Sequence, residues 1–279
     1  MTDRRVGSSD GVTILVHDLG GSGPPLLLCH ATGFHGLVWG PFAELLAERF
    51  RVWSLDFRGH GDASPPPALP VDWRGVGDDV LAVVDALGLE RPYGFGHSMG
   101  GAALVLAEAD RPGTFSGLAL YEPIVFPPEA PPGGGNGDLT SGARRRREVF
   151  ASKDEAFANF ASKPPLSSLV PAALRAYVDH GLAARPEGGV ALKCRPEVEA
   201  AFYEGAPVHP GWARLTSAAC PVVVMTGEHT DAVGGDLARL QAGRLPAGGV
   251  EVVPGVGHFG PMEDPPRLAR AVADALLGG

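Results

Sequence analysis

The run from Tyr93 to Ala109 admits few backbones. Tyr93-Gly94-Phe95-Gly96-His97 reads as a short buried strand, and Ala102 to Ala109 as an Ala/Leu-rich helix, with Ser98-Met99-Gly100-Gly101 between them. The pattern Gly-x-Ser-x-Gly, from Gly96 to Gly100, therefore has to turn a strand into a helix almost without a loop. A turn that tight brings strand and helix into contact, so the flanking side chains must be small, and it holds the serine in a strained conformation. The Ser98 hydroxyl then projects beyond the strand end, at a helix N-terminus whose free N–H groups favour negative charge.

The rest of the chain repeats the same alternation. Leu26-Leu27-Leu28-Cys29 and Arg51-Val52-Trp53-Ser54-Leu55 are runs expected of buried parallel strands, and Val12 to His17 alternates like an edge strand. Val76, Val80, Val83, Val84 and Leu87 share one helical face, with Gly88 placed to cap it. Gly117 to Tyr121, Pro221 to Thr226 and Val250 to Val253 read as further strands, and Pro265 to Leu277 as a closing amphipathic helix. Strands and helices alternating at this spacing predict an α/β protein, a mostly parallel central sheet with helices on both faces. The alternation stops after Ile124. Residues 127–137 are almost all Pro and Gly and are expected to form a loop or a disordered segment. Beyond them, Arg144 to Phe150, Lys153 to Ala161, Pro171 to Gly181 and Pro196 to Glu204 are expected helices. The expected organisation is one α/β core, residues 1–123 and 215–279, interrupted by a helical cap at 124–214.

Composition narrows the partners. With 44% apolar and 20% charged residues, the 279-residue chain has a globular balance, and no apolar run reaches the roughly 20 residues a membrane span needs. A net charge of -9 disfavours nucleic acid, which calls for a basic surface. The N-terminus, Met1 to Arg5, is polar with no apolar segment behind it. Cys29, Cys194 and Cys220 are few and widely spaced, without metal-ligand spacing. Together these predict a cytoplasmic protein with reduced thiols, no metal site and no membrane partner. No pattern specifies an oligomeric state.

In these landmarks the chain resembles the α/β-hydrolase fold family in its capped form. His30-Ala31-Thr32-Gly33 stands where that family has a His-Gly oxyanion loop, with Ala31 in place of the usual glycine. Asp56-Phe57-Arg58-Gly59-His60-Gly61, Gly96-His97-Ser98-Met99-Gly100-Gly101 and Gly255-Val256-Gly257-His258-Phe259 follow in the family's order. The resemblance implies a serine hydrolase with a nucleophile elbow at Ser98, cleaving a small-molecule carboxylic ester or lactone without metal or organic cofactor. C–C bond, amide or peptide hydrolysis and cofactor-free perhydrolysis are alternatives on the same triad. A ligand-binding protein on this scaffold is a further alternative. Haloalkane dehalogenase and epoxide hydrolase chemistry is disfavoured, because those relatives need a carboxylate where this chain has Ser98.

The chemistry asks for a base, because an alcohol at neutral pH is a poor nucleophile. His258 is the best candidate, lying in a Gly-rich turn after a strand and after both candidate acids in the chain. Asp231, after the strand that follows the cap, is the preferred orienting acid. Glu122, at the end of the strand after the elbow helix, is the alternative. The resemblance implies an oxyanion hole made by the amides of Thr32 and Met99. Phe34 and Phe259, each beside a catalytic loop, are expected to wall the substrate pocket. Trp39, Phe126, Phe150, Phe157, Phe160, Leu166 and Tyr177 are weaker candidates, equally suited to cap core. His30, Asp56, Arg58 and His60 are read as structural braces under the oxyanion loop. The run Arg144 to Arg147 is read as a solvated helix face, with an anion gate as the alternative. Lys193 or Arg195 is a conceivable partner for a substrate carboxylate, and Cys29 and Cys220 are read as core residues.

Overall fold

Side-chain alternation and β-branched runs produce two sheets in the computed structural model, which describes residues 3–128 and 139–278. The strands are β1 Asp3–Gly7, β2 Thr13–Gly20, β3 Pro25–Cys29, β4 Arg51–Asp56, β5 Tyr93–His97, β6 Gly117–Tyr121, β7 Val149–Phe150, β8 Leu182–Ala184, β9 Val190–Leu192, β10 Val222–Gly227 and β11 Gly248–Val253. Eight of them form one sheet in the order β1-β2-β4-β3-β5-β6-β10-β11. β1 and β2 pair antiparallel, as do β2 and β4, and every other pairing in this sheet is parallel.

β3, β5 and β6 are central, and their residues are almost wholly buried, which is why they read as continuous apolar runs rather than alternating ones. The edge lies one strand further out than the sequence suggested. Val12 to His17 falls in β2, and the polar Asp3-Arg4-Arg5-Val6-Gly7 is the true edge strand, with only Val6 turned inward. Charged residues on an edge strand blunt pairing with other chains, and the same charges hide the strand from a reading based on apolar runs.

Helices close both faces. In Arg74–Leu87 the valines at 76, 80, 83 and 84 are buried, and Gly88 ends the helix at φ 60 with its N–H on the carbonyls of Asp85 and Val84. Each valine so buried is worth about 1.5–3 kcal/mol against exposure. In Pro265–Leu277, Leu268, Val272 and Leu276 face the core, and the Asp264 carboxylate caps the first turn by accepting from Arg267 N–H.

Between β6 and β10 the chain forms an insertion. Lys153–Ala161, Pro171–Gly181 and Pro196–Gly205 are helices at the expected positions. Two features differ from expectation. Arg144 to Phe150 is not one helix: a short helix, Leu139–Arg144, ends there and β7 follows. β7, β9 and β8 form a three-stranded antiparallel sheet. Strands of two or three residues carry too little periodicity to be read from sequence. From residue 129 on, the Pro/Gly-rich run expected to be a loop lies outside the described residues. No helix among the described residues is long and apolar enough to cross a membrane.

Candidate active site

The glycines of the elbow are required by contact. A Cβ on Gly96 would lie 2.5 Å from the Gly100 carbonyl oxygen, one on Gly100 would lie 2.1 Å from the Cys29 carbonyl oxygen, and one on Gly101 would meet Pro123 Cβ at 2.8 Å. Strand β5, the following helix Met99–Asp110 and the end of β3 are thus pressed together at a single point. Ser98 carries the strain of that turn, at φ 56 and ψ -113. A Gly100→Ala substitution is expected to destabilise the fold by at least about 3 kcal/mol, because the obstacle is backbone and cannot rotate away. Urea denaturation measures this, and a loss below about 1 kcal/mol would show that the contact is easily relieved.

Strand register then decides which side chains meet. His97 pairs with Tyr121 across β5 and β6, so Ser98 and Glu122 leave adjacent strands side by side. Ser98 N–H donates to the Tyr121 carbonyl at 2.9 Å. Met225 pairs with Tyr121 on the other side, which sets the end of β10 beside Glu122. Glu122 is fully buried, and its φ of 47 turns the side chain back under the strand ends. Its carboxylate accepts from Gly227 N–H at 3.0 Å, Thr230 Oγ1–H at 2.7 Å and Val233 N–H at 3.3 Å. It also accepts from His258 Nδ1 at 2.6 Å. A buried carboxylate is tolerable only when hydrogen-bonded in this manner.

Of the two candidate acids, it is Glu122 whose carboxylate lies on the His258 ring. Glu122 holds the His258 nitrogen that Asp231 was preferred for, and Asp231 lies exposed in the loop after β10. The reason is local. Thr230 and Val233 turn inward to bond Glu122, and of the two residues between them Asp231 is exposed on the outer side of the bend. With its Nδ1 proton committed to Glu122, His258 presents Nε2 as an acceptor. The ring sits against the elbow: its centroid is 4.8 Å from that of His97, the residue before Ser98, and 5.0 Å from that of Phe259.

Contacts that sequence did not flag hold the His258 loop in place. Tyr121 OH donates to the Gly257 carbonyl at 2.5 Å, and Gly257 N–H donates to Glu263 at 2.6 Å. Nothing in the local sequence around Tyr121 marks it, because its partner is 136 positions away in the loop after β11, whereas Glu263 reaches back only six residues to the same loop. On the other side of the elbow, helix geometry leaves the Met99 N–H without an intrahelical acceptor. Thr32 lies in the loop just beyond β3, after His30 and Ala31, and the last carbonyl of β3, that of Cys29, abuts Gly100. Ser98 is nearly enclosed, at 7% exposure, and Thr32 is at 6%.

The bracing residues have their partners in the core. His30 Nδ1 donates to the Ala31 carbonyl at 2.8 Å, and its Nε2 accepts from Phe57 N–H at 3.1 Å, an arrangement that requires a neutral ring. Burial, reinforced by the neighbouring His60, drives its pKa well below that of a free imidazole. Asp56 accepts from the amides of Gly36 at 2.7 Å and Asp62 at 2.8 Å. Burial alone would raise its pKa, but His17 and these amide donors outweigh that and hold it below the usual carboxylate range. Arg58 is clamped on buried Asp79 through Nε at 3.0 Å and Nη2 at 2.9 Å.

Phe34 and Phe259 meet, with ring centroids 5.6 Å apart, and Phe34 also packs on Tyr177 at 5.1 Å. Trp39 is core, against Phe42 and Phe95. Phe150, Phe160 and Tyr177 pack on one another within the insertion. Lys193 Nζ pairs with Asp62 at 2.7 Å, and Arg195 is exposed beside Glu148 and Glu197. The arginine run divides. Arg144 and Arg147 are solvated and paired with Glu204 and Glu155, but Arg146 turns inward to Glu199. A cavity of about 300 Å3 opens beside His258, with Ser167, Ser168, Asp231, Phe259 and Glu263 in its lining. A larger open groove, about 770 Å3, lies between β1 and Arg74–Leu87 and contains none of these residues. Among the described residues no cluster of His, Cys, Asp and Glu is arranged to hold a metal ion.

Known proteins with the same fold are numerous. The closely superposable solved structures include an E-2-(acetamidomethylene)succinate hydrolase, at TM-score 0.84 and 21% identity over 99% of both chains. The esterase RhEst1 from Rhodococcus sp. ECU1013 superposes at TM-score 0.78 and 24% identity over 100% of this chain and 99% of that one. Likenesses at that identity speak for the fold alone. By sequence, a putative carbamate hydrolase RutD of Caulobacter sp. is 37% identical over 38% of this chain and 41% of its own length. An N-formylmaleamate deformylase of Pseudomonas putida is 32% identical over 43% and 45%. These alignments span less than half of each curated relative. The description of the alpha/beta hydrolase family, by contrast, matches residues 26–271, from β3 to the closing helix, and so takes in the elbow, both candidate acids, the insertion and His258. The chain belongs to the alpha/beta hydrolase family.

Proposed function

We propose that the protein hydrolyses a small-molecule carboxylic ester or lactone through an acyl-enzyme on Ser98. The observation that carries this reading is the 2.6 Å hydrogen bond from His258 Nδ1 to buried Glu122, beside a serine strained into an elbow. Glu122 replaces Asp231 as the orienting acid in this mechanism. Ser98 Oγ adds to the ester carbonyl carbon as its proton passes to His258 Nε2. The carbonyl oxygen, now an oxyanion, is received by the N–H groups of Thr32 and Met99, and Glu122 stabilises the imidazolium. The C–O bond to the leaving group breaks as His258 returns the proton to the departing alcohol. Water, deprotonated by the same histidine, then attacks the acyl carbon, and the acid departs as Ser98 regains its proton. Phe34 and Phe259 supply an apolar wall for the substrate.

A second reading keeps these steps and changes the bond. A deformylase of N-formylmaleamate appears among both the sequence relatives and the solved structures, which favours an amide over the remaining alternatives. The amine of an amide leaves less readily than an alcohol, so proton return from His258 to the departing nitrogen would carry more of the barrier.

The test is active-site labelling. A fluorophosphonate is expected to add once, on the tryptic peptide holding Ser98, and to abolish hydrolysis of p-nitrophenyl acetate in proportion to its incorporation. Label on another residue, or full activity after labelling, refutes the assignment. Comparing p-nitrophenyl acetate with p-nitroacetanilide separates the ester reading from the amide one.

A further inference from the structure

Gly33, the residue after Thr32, is gripped from above by the insertion. Its φ is 81, and a Cβ there would lie 2.8 Å from Glu199 Oε1 and 3.4 Å from Arg146 Nη1. Its carbonyl accepts from Tyr177 OH at 3.4 Å, and the buried Cys194 thiol faces its amide. Arg146 joins the group, with Nη1 donating to Glu199 at 2.5 Å and Nη2 to Tyr177 OH at 2.6 Å. Tyr203 OH closes on Glu199 Oε1 at 3.5 Å. The Glu199 side chain is 7% exposed and that of Arg146 21%, with the guanidinium inside and part of the stem at the surface.

Burial would lower the Arg146 pKa, but Tyr177 and Glu199 outweigh it and raise it, so the group stays charged. That charge is already matched by Glu199, which removes the reason to read it as an anion gate. What the group does touch is the backbone beside Thr32. The clamp comes from three separate parts of the insertion: the turn before β7, the helix Pro171–Gly181 and the helix Pro196–Gly205.

We propose that Arg146, Glu199 and Tyr177 are positioning residues, which hold the Thr32–Gly33 backbone so that the Thr32 N–H points at the developing oxyanion. Seating of the insertion and assembly of the oxyanion hole are then one event. The inference rests on Thr32 as an oxyanion donor, part of the reading above. An oxyanion donor acts in the transition state rather than in binding. Loosening the clamp therefore lowers the rate of reaction on Ser98 and leaves the affinity for the reagent unchanged.

The experiment measures kinact and KI for fluorophosphonate labelling of Ser98 in wild type, Tyr177→Phe, Glu199→Gln and Arg144→Gln, with the melting temperature of each. Arg144 belongs to the same arginine run but pairs at the surface with Glu204, away from Gly33. Tyr177→Phe and Glu199→Gln are expected to lower kinact about tenfold with KI within twofold, and Arg144→Gln to match wild type. Wild-type kinact in both clamp variants overturns the proposal. So does an equal loss in Arg144→Gln, which signals general loosening, or a raised KI with unchanged kinact, which signals substrate contact. If Glu199→Gln fails to fold, Tyr177→Phe carries the test, since it leaves the Arg146–Glu199 pair in place. Failure of wild type to label on Ser98 sinks the underlying mechanism, whereas normal labelling in every variant sinks only the clamp.

Discussion

Ser98→Ala is expected to reduce turnover of p-nitrophenyl acetate by on the order of 10^6-fold, leaving only the acceleration that binding and the oxyanion hole provide. The substitution removes a hydroxyl and adds nothing, so the elbow keeps its geometry. Alanine must adopt the φ of 56 and ψ of -113 that serine adopts now, a strain already met by the surrounding packing. The melting temperature is accordingly expected to stay within a few degrees of wild type. A folded Ser98→Ala protein that still turns over at a tenth of the wild-type rate would rule out an acyl-enzyme on Ser98. In that event the catalytic group would have to be sought among the residues lining the cavity beside His258.

Glu122→Gln is expected to lower kcat by about 10^4-fold, and Asp231→Asn to leave it within threefold. Every group around the Glu122 carboxylate donates: two backbone amides, the Thr230 hydroxyl and His258 Nδ1. A glutamine amide offers one oxygen to these donors, and its NH2 must face one of them. The relief open to His258 is to move its proton to Nε2, so that Nδ1 accepts from the amide. That tautomer has no lone pair for the Ser98 proton, the same fault that costs about 10^4-fold when the buried acid of a serine-protease triad is made an amide. Asp231 is exposed, and His258 Nδ1 is already held by Glu122, so an amide at 231 leaves the catalytic tautomer in place. Equal losses in the two variants, or a Glu122→Gln kcat within tenfold of wild type, would remove Glu122 from the mechanism. Measuring kcat together with thermal melting separates this from a loss of fold, since the same substitution also weakens the anchoring of the loop after β10.

What could be read from the sequence follows the range of the interactions involved. β5 and β6 fall where their apolar runs put them, and the helix Pro265–Leu277 where its periodicity does, because their burial is dictated by their own residues. The edge strand β1 and the small sheet β7-β9-β8 do not. The first is charged for the sake of solubility, and the second is too short to show a period. Phe34 and Phe259 meet because each is tied by the chain to a loop that the strand ends bring together.

Ser98 in its glycine elbow, the strand–helix alternation and the position of His258 after a late strand were all determined by the sequence alone. In each case the constraint is local: a tight turn tolerates only small flanking residues, and a buried strand only apolar ones. Which of Glu122 and Asp231 lies on His258 Nδ1 belonged to the tertiary structure. Both stand just beyond strands of the same sheet, and only the inward turn of Thr230 and Val233 shows which one is surrounded by donors. The division of the arginine run was settled at the same level. Arg144, Arg146 and Arg147 are chemically identical in sequence, and Arg146 alone among them is turned by the fold onto Glu199 and the backbone of Gly33. Local sterics can be read one segment at a time, whereas the partner of a buried charge depends on residues more than fifty or a hundred positions away.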